Sequence, residues 1–334
     1  MSYRKYDSIE NHYREAYIRK AMDNDFTLRR CTYIVQEKIH GANLGILFYS
    51  NLPPLVYSGN NKLDVSGNGF NDLGATLRSE PMASFIYAMQ RYCYENDMTI
   101  RLYGEFFGPG IQKGVDYGQE KRILFFDMMK GTVEAGFENM EYVSQDEFKY
   151  FMEDLGCGGF GKLIVPTVCF VDGLENALLF DAKRNSLLGP DLGFGNTDSV
   201  TNVMEGVVIK PFHDVKRDHY GRIFYIKSKN NEFLEKVKAK KRKAYSPEDP
   251  VIVELRSEFE SYLTEMRMQS VFSKMGPIEE MNKMGEYIKA FSADAIEDFM
   301  KDFGERMKEL SPSEQRKITG IVGKIAAPML KAAM

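Results

Sequence analysis

A lysine that could act as a nucleophile lies in the segment E-K-I-H-G, residues 37–41. Two β-rich runs, 32–36 and 43–49, flank this segment and predict a turn between two strands. A lysine just after a buried strand and close to a glycine is held rigidly over a pocket, where a neutral amine can attack phosphorus. The pattern K-x-x-G is short, and alone it fits an ordinary solvated lysine better than a nucleophile. Lys38 is therefore a candidate that needs support from other motifs.

Two later strands carry charges that suit phosphate groups and a metal ion. In M-E-G-V-V-I-K-P, residues 204–211, Glu205 opens a β-branched run. A carboxylate facing a pocket there would suit a divalent cation, because hard cations prefer oxygen ligands. Lys210 fits either a phosphate contact or an edge charge. In F-Y-I-K-S-K-N, residues 224–230, the period of two places Lys227 and Lys229 on one face. Two such ammonium groups suit a bound phosphate chain, and a solvated strand end is the alternative.

Two further positions suit the other parts of a nucleotide. Glu105 lies in the aromatic strand R-L-Y-G-E-F-F, where a carboxylate needs a partner such as a ribose hydroxyl or a structural arginine. Phe126 in L-F-F-D-M-M could stack on a base, although a phenylalanine on a strand also fits a hydrophobic core.

The composition of the chain changes near residue 244. Of the 28 glycines, five lie in the 91 residues from 244 onward. Residues 80–95 and the segment after Ser144 predict helices, and residues 99–107, 122–129, 206–211 and 222–228 predict strands. This mixture without a strict β-α-β order favours an α+β domain with mainly antiparallel sheets. We predict a first domain over residues 1–243, ending in the basic run 236–243, and a helical domain over residues 244–334.

Composition also limits the class of protein. No apolar run approaches the roughly 18 residues that span a membrane, and the N-terminus does not resemble a signal peptide. The four cysteines form no C-x-x-C pair, which predicts a reduced cytoplasmic protein without a zinc site. The net charge of −4 disfavours a protein that coats nucleic acid, but it permits a local basic grip. Nothing in the sequence demands more than a monomer.

In their order along the chain, these motifs resemble those of the covalent nucleotidyltransferases. The order is K-x-x-G, a G-E strand, F-D, E-G-x-V-x-K and I-K-x-K. The finer motifs E-K-I-H-G, G-E-F-F-G-P-G-I-Q-K and E-G-V-V-I-K-P, and the opening K-Y-D-S-I-E-N-H-Y, are similar to the RNA ligase 2 family of tailed phages, whose relatives include the trypanosome RNA-editing ligases. The resemblance implies an antiparallel-sheet nucleotidyltransferase (ATP-grasp-like) domain followed by a small all-helical domain for engaging RNA ends.

The resemblance also implies an activity and its cofactors. It predicts an ATP-dependent RNA ligase that seals 3′-hydroxyl and 5′-phosphate ends, with ATP and Mg²⁺ or Mn²⁺ as cofactors and RNA as partner. Lys38 would form the lysyl-AMP bond, with His40 and Asp127 supporting catalysis and Glu205 serving the metal. Phe126 and Val208 would enclose the adenine, Glu105 would hold the ribose, and Lys227 and Lys229 the phosphates. The nucleotide-binding residues that it implies are Glu37, Lys38, Ile39, Asn43, Glu105, Phe126, Val208, Lys210, Lys227 and Lys229.

One position departs from the family pattern. The family usually has an arginine soon after the nucleophile, whereas residues 56–63 read V-Y-S-G-N-N-K-L. Lys62 or Asn61 takes that place, or the loop is shifted; a lysine would contact phosphate as a point charge rather than a bidentate fork.

Two alternatives remain open at this stage. A capping guanylyltransferase or a DNA ligase would carry an OB barrel after the I-K-x-K strand, where this chain predicts helices. A catalytically inactive RNA-binding relative is the other alternative, and the intact Lys38, Glu105 and Glu205 disfavour it.

Overall fold

The computed structural model describes residues 5–49, 52–67, 69–137, 139–155, 159–189, 201–234, 249–278 and 280–333. The chain forms two compact units, Met1–Glu232 and Phe233–Met334. The predicted boundary at 243/244 and the basic run 236–243 lie outside the described residues. Within the described ranges, none of the helices combines the length and apolar character needed to span a bilayer.

The first unit contains short strands with a few helices. Its described strands are β1 Glu10–Asn11, β2 Thr32–Lys38, β3 Ala42–Tyr49, β4 Leu55–Ser58, β5 Asn61–Lys62, β6 Met98–Phe107, β7 Arg122–Thr132, β8 Glu141–Tyr142, β9 Thr167–Asp172, β10 Gly206–Pro211 and β11 Ile226–Lys229. Its described helices are α1 Glu15–Asn24, α2 Gly69–Arg78, α3 Met82–Glu95, α4 Gln145–Asp154 and α5 Leu174–Leu178. The side chain of Ser144 accepts a hydrogen bond from the backbone N–H of Glu147, as expected for the start of α4.

The strands form two sheets that are almost entirely antiparallel. The first sheet has the order β1-β11-β10-β2-β9, and the second has the order β5-β4-β3-β6-β7-β8. The pair β1–β11 is parallel, whereas the other described ladders are antiparallel. This architecture confirms the predicted α+β class.

Two predicted strand limits need correction. The strand predicted over residues 222–228 begins only at Ile226, because Ile223 pairs with Arg217 in an isolated bridge outside the ladder. Glu37 and Lys38, predicted in a turn, are the last two residues of β2, and the turn to β3 follows them. The direction of the Lys38 side chain is therefore set by the alternation of side chains along β2.

The first sheet has two different faces, because successive strand residues point to opposite sides. On one face, Val35, Val207 and Ile226 are buried in an apolar cluster with α1 and α5. The other face is formed by the alternate residues, which include Gln36, Lys38, Gly206, Val208, Lys210, Lys227 and Lys229. The predicted nucleotide-binding residues of this sheet, apart from Glu37, therefore share the face opposite the apolar cluster.

The second unit is helical over its described residues. It contains α6 Pro250–Glu260, α7 Glu265–Met275, α8 Met284–Lys308, α9 Pro312–Thr319 and α10 Val322–Ala333. Leu255, Phe259, Phe291 and Phe299 belong to its apolar core. The helix α9 begins with a complete capping box, in which Ser311 and Glu314 each bind the backbone N–H of the other. These residues show helices where an OB barrel would need strands.

Candidate active site

The register of the first sheet brings three strand ends together at Gly206. Gly206 is paired with Lys38 of β2 on one side and with Lys229 of β11 on the other. A Cβ atom on Gly206 would lie 2.0 Å from the carbonyl oxygen of Ser228, so this close approach of β10 and β11 requires glycine. Residue 205, directly before this point, is therefore surrounded by residues from distant parts of the sequence.

Glu205 is the centre of this cluster. Its Oε2 accepts from Lys38 Nζ at 2.8 Å and lies 3.3 Å from His40 Nδ1, while its Oε1 lies 3.0 Å from Lys229 Nζ. The side chain of Glu205 is 4% exposed, that of Lys229 is 9% exposed and that of Lys38 is 22% exposed. Burial opposes ionisation of Glu205, but Lys229 and Lys38 outweigh it and hold the pKa of this carboxyl well below its usual range. The site therefore contains a carboxylate that already binds cations.

Glu105 reaches the site from the second sheet. Its Oε1 accepts from the backbone N–H of Gly41 at 3.1 Å, and its residue pairs with Asn43 across β3 and β6. Burial raises the pKa of Glu105 to about 8. The positive charge of Lys38 lowers this pKa in part, and the negative charge of Glu205 raises it further. At neutral pH Glu105 is therefore mainly a neutral acid, which can both donate to and accept from a hydroxyl group.

A β-bulge in β7 aims two consecutive side chains at the same region. Tyr103 pairs with Asp127 and Gly104 pairs with Phe125, so Phe126 has no partner opposite it. The ring of Phe126 lies 5.0 Å from that of Tyr6, and Asp127 accepts from the hydroxyl of Tyr6 at 2.8 Å. Phe126 and Val208 pack against the same apolar cluster, as expected for two residues that enclose a base.

Asp127 and Lys210 form a buried ionic network next to Phe126. Lys210 Nζ lies 3.8 Å from Asp127 Oδ2 and donates to the carbonyl oxygen of Phe126 at 2.5 Å. Gln145 Nε2 donates to Asp127 at 3.0 Å. Burial raises the pKa of Asp127 and lowers the pKa of Lys210 to about 8. These groups support the backbone of Phe126, and a direct contact between Lys210 and a nucleotide stays a prediction.

The remaining predicted residues lie around this centre at different depths. Glu37 accepts from Ser186 Oγ at 2.6 Å and from the backbone N–H of Leu187 at 2.8 Å. Burial raises the pKa of Glu37 to about 7. Ile39 is buried in the core of the second sheet, and Lys227 pairs with Val208 on the face that carries Lys38. Glu37, in contrast, points to the opposite side of β2 from Lys38 and anchors residues 186–187.

The position of the missing arginine lies in a short hairpin. Asn61 and Lys62 form β5, pair with Ser58 and Tyr57, and are both exposed.

Several residues that position the side chains of the site were not predicted from the sequence. The hydroxyl of Tyr117 accepts from the backbone N–H of His40 at 2.8 Å, and Tyr6 and Gln145 bind Asp127 as described above. Tyr6 lies inside the opening motif K-Y-D-S-I-E-N-H-Y, so the resemblance to the family could have pointed to it. Gln36 is a polar residue inside the apolar strand Y-I-V-Q, and this contrast was also readable in the sequence.

The carboxylate of Glu205 suits a cation that is shared with a substrate. Among the described residues there is no group of three or more histidine, cysteine, aspartate or glutamate side chains that could hold a metal ion by themselves. Mg²⁺ commonly binds one or two carboxylates and completes its shell with water and substrate phosphates. Glu205, whose oxygens already face three cationic or imidazole nitrogens, fits that requirement.

Comparison with known proteins gives matches over both units. The family model "RNA ligase" matches residues 32–245, and the model "T4 RNA ligase 2 C-terminal" matches residues 248–328. A Naegleria gruberi RNA ligase mutant solved with ATP and Mn is 19% identical, with a TM-score of 0.50 over 70% of this chain and 57% of that one. The same enzyme solved with PPi is 18% identical, with a TM-score of 0.49 over 70% of this chain and 57% of that one.

The two kinds of match carry different conclusions. The chain spans 57% of the length of these solved ligases, and at this identity the structural likeness concerns the fold alone. The first family model covers more than half of the chain and includes β2 with Lys38, β10 with Glu205 and β11 with Lys229. The chain therefore belongs to the RNA ligase family, with a C-terminal part of the RNA ligase 2 type, which confirms the family predicted from its motifs.

Proposed function

We propose that this protein is an ATP-dependent RNA ligase that joins 3′-hydroxyl and 5′-phosphate RNA ends through a lysyl-AMP intermediate on Lys38. The observation that supports it most is the contact of Lys38 with Glu205, 167 positions away in sequence, beside Lys229. A lysine that ends a buried strand, next to a second lysine and a carboxylate, has what nucleotidyl transfer needs: a fixed amine, a phosphate-binding cation and a metal ligand.

The proposed reaction has three steps. The neutral amine of Lys38 attacks the α-phosphorus of ATP, an N–P bond forms, the bond from the α-phosphorus to the bridging oxygen breaks, and pyrophosphate and one proton leave. A 5′-phosphate oxygen of RNA then attacks the same phosphorus, the N–P bond breaks, and the Lys38 nitrogen takes up a proton. Finally the 3′-hydroxyl loses its proton and attacks the 5′-phosphate, a phosphodiester bond forms, and AMP leaves. Lys227 and Lys229 offset the negative charge that develops on the phosphate oxygens.

The cluster also accounts for the cofactor requirement in this proposal. When bound at Glu205, Mg²⁺ or Mn²⁺ would neutralise phosphate charge and compete with Lys38 for the carboxylate. His40 lies next to the same oxygen and keeps Glu205 oriented. Glu105 holds the ribose, Phe126 and Val208 enclose the adenine, and the remaining predicted nucleotide contacts come from Glu37, Ile39, Asn43 and Lys210.

The division of labour between the two parts of the chain is a further part of the proposal. Residues 1–243 would form the adenylyltransferase domain, and residues 244–334 would engage the RNA end. The first unit has apolar clusters of its own, so it should fold alone. A protein ending at residue 243 should therefore still take up AMP but seal 5′-phosphate RNA poorly. Normal sealing by the shortened protein would contradict this role for the helices.

The proposal also includes RNA as the partner, a monomeric state and action in the cytoplasm. If the protein is encoded by a phage, this cytoplasm would be that of the host cell. The lack of a C-x-x-C pair supports the cytoplasmic assignment, and the net charge of −4 with local basic positions supports a local grip on RNA.

The direct test is intact mass spectrometry after incubation with ATP and Mg²⁺. The protein should gain one AMP, about 329 Da, as expected for a phosphoramidate on lysine. Lys38→Ala should remove the gain, whereas Lys162→Ala, a change of a lysine outside the site, should not. An adduct that survives Lys38→Ala would refute the proposal, and an adduct formed only with GTP would move the protein to the capping enzymes.

A further inference from the structure

The amide of Gln36 is buried on the candidate nucleotide face. The residue is 1% exposed, and neither its Nε2 nor its Oε1 has a hydrogen-bond partner among the described residues. A buried amide that leaves both its donor and its acceptor unpaired is rare in folded proteins, because the lost contacts with water are not replaced. Such a group indicates that a ligand supplies the missing partners.

The register places Gln36 on the face of the first sheet that carries the predicted nucleotide-binding residues. Gln36 precedes Lys38 by two residues on β2, so both side chains lie on the same face. Across the ladder, Gln36 pairs with Val208 of β10, which packs with Phe126 against one apolar cluster. Val35, its neighbour in sequence, points into the apolar cluster on the opposite face. Gln36 thus lies two residues from the candidate nucleophile and directly opposite Val208, one of the two residues proposed to enclose the base.

The chemistry of the amide selects one part of the nucleotide. Phosphate oxygens only accept hydrogen bonds, and Lys227 and Lys229 are better partners for them. The adenine edge presents an amino donor next to a ring-nitrogen acceptor, and a glutamine amide matches this pair with two hydrogen bonds. Building on the proposed function, we infer that Gln36 recognises the amino edge of adenine. Its Oε1 accepts from the exocyclic amine, and its Nε2 donates to the adjacent ring nitrogen.

The best probe for this contact is an analogue that lacks only the amine. Purine riboside triphosphate carries hydrogen where ATP carries the amino group, so binding it leaves Oε1 unpaired. GTP is a poorer probe, because an amide turned by 180° can match the oxygen and N–H of its edge. The wild-type protein should prefer ATP over purine riboside triphosphate by about tenfold to a hundredfold.

The test compares rates of lysyl-AMP formation in a single turnover, measured against the concentration of each nucleotide. Gln36→Met keeps the length and burial of the side chain but removes both hydrogen-bonding groups. This variant should lose most of the preference for ATP, because both nucleotides lose the contact to the ring nitrogen but only ATP also loses the contact to its amine. Gln90→Met, the same change at a helix residue that donates to the carbonyl oxygen of Leu52, should keep the wild-type preference.

Each outcome decides a different point. Equal use of ATP and purine riboside triphosphate by the wild-type protein would overturn the inference without any variant, even if Gln36→Met failed to fold. A folded Gln36→Met protein that keeps the preference would overturn it as well. If the wild-type protein formed no adduct with any nucleoside triphosphate, the proposed function itself would fail, and the role of Gln36 with it.

Discussion

The cluster at Glu205 allows a quantitative prediction about stability. In Glu205→Gln the shape of the side chain is kept, but its charge is lost. Lys38 and Lys229, which now contact Glu205 at 2.8 and 3.0 Å, would then face a neutral amide while still largely buried. Removing one partner of a buried ion pair typically costs about 3–5 kcal/mol. We expect the lower part of this range, because the side chain of Lys38 is 22% exposed and keeps access to water.

The effect should depend on pH with a definite sign. The folded protein holds the pKa of Glu205 below its ordinary value of 4.5. The stabilisation from Glu205 is therefore fully present above pH 4.5 and is lost as the pH falls through the lower pKa of the folded state. The difference between the wild-type protein and Glu205→Gln should accordingly be largest near neutral pH and shrink in acid.

Urea unfolding followed by far-UV circular dichroism measures this difference. Because two units can unfold separately, the transition of the first unit is the one that should move. Glu254→Gln is a matched control, since Glu254 forms a solvent-exposed pair with Arg306 at 3.0 Å and its loss should cost less than about 1 kcal/mol. Combining Glu205→Gln with Lys229→Met should destabilise by less than the sum of the two single changes. Equal effects of Glu205→Gln and Glu254→Gln, or strict additivity with Lys229→Met, would refute the reasoning.

Three other predictions follow from the same structure. Glu105→Gln should remove a pH dependence of stability. The wild-type carboxyl, with its pKa raised to about 8, contributes stability that is full below about pH 4.5 and is lost as the pH rises through 8. Melting temperatures of the two proteins, measured between pH 5 and 9, would show this loss in the wild-type protein only. A melting-temperature difference that does not change over this range would contradict the assignment. Gly206→Ala should force β10 and β11 apart, because its Cβ would lie 2.0 Å from a carbonyl oxygen, and should lower both the melting temperature and AMP uptake. Gly67→Ala is the control: its Cβ would enter open space, so this variant should behave as wild type. Arg267→Met should destabilise the helical unit by about 3–5 kcal/mol in urea unfolding, because the buried guanidinium pairs with two aspartates of α8, while AMP uptake should persist. Loss of AMP uptake in a folded Arg267→Met protein would show that the units are not independent in the first step.

Much of the local structure could be predicted from the sequence. The β-branched run at 206–211 and the helix after Ser144 depend on neighbouring residues, and the structure confirms them. The period of two in I-K-S-K correctly placed Lys227 and Lys229 on one face of β11. Strand ends were less certain: the predicted strand 222–228 began too early, because membership in a ladder depends on a partner strand that local sequence does not specify.

The sequence by itself determined the family, the order of motifs and the identity of the candidate nucleophile, because those depend on residue types and short spacings. Only the tertiary structure decided which of these residues meet. The contact of Lys38 with Glu205 depends on the register of β2 with β10, and the orientation of Phe126 depends on a bulge in β7. Glu37 and Gln36 are neighbours on β2 that face opposite sides of the sheet, so only the side chain of Gln36 lies on the face that carries Lys38. Pairing across the sheet decides which side holds the candidate site.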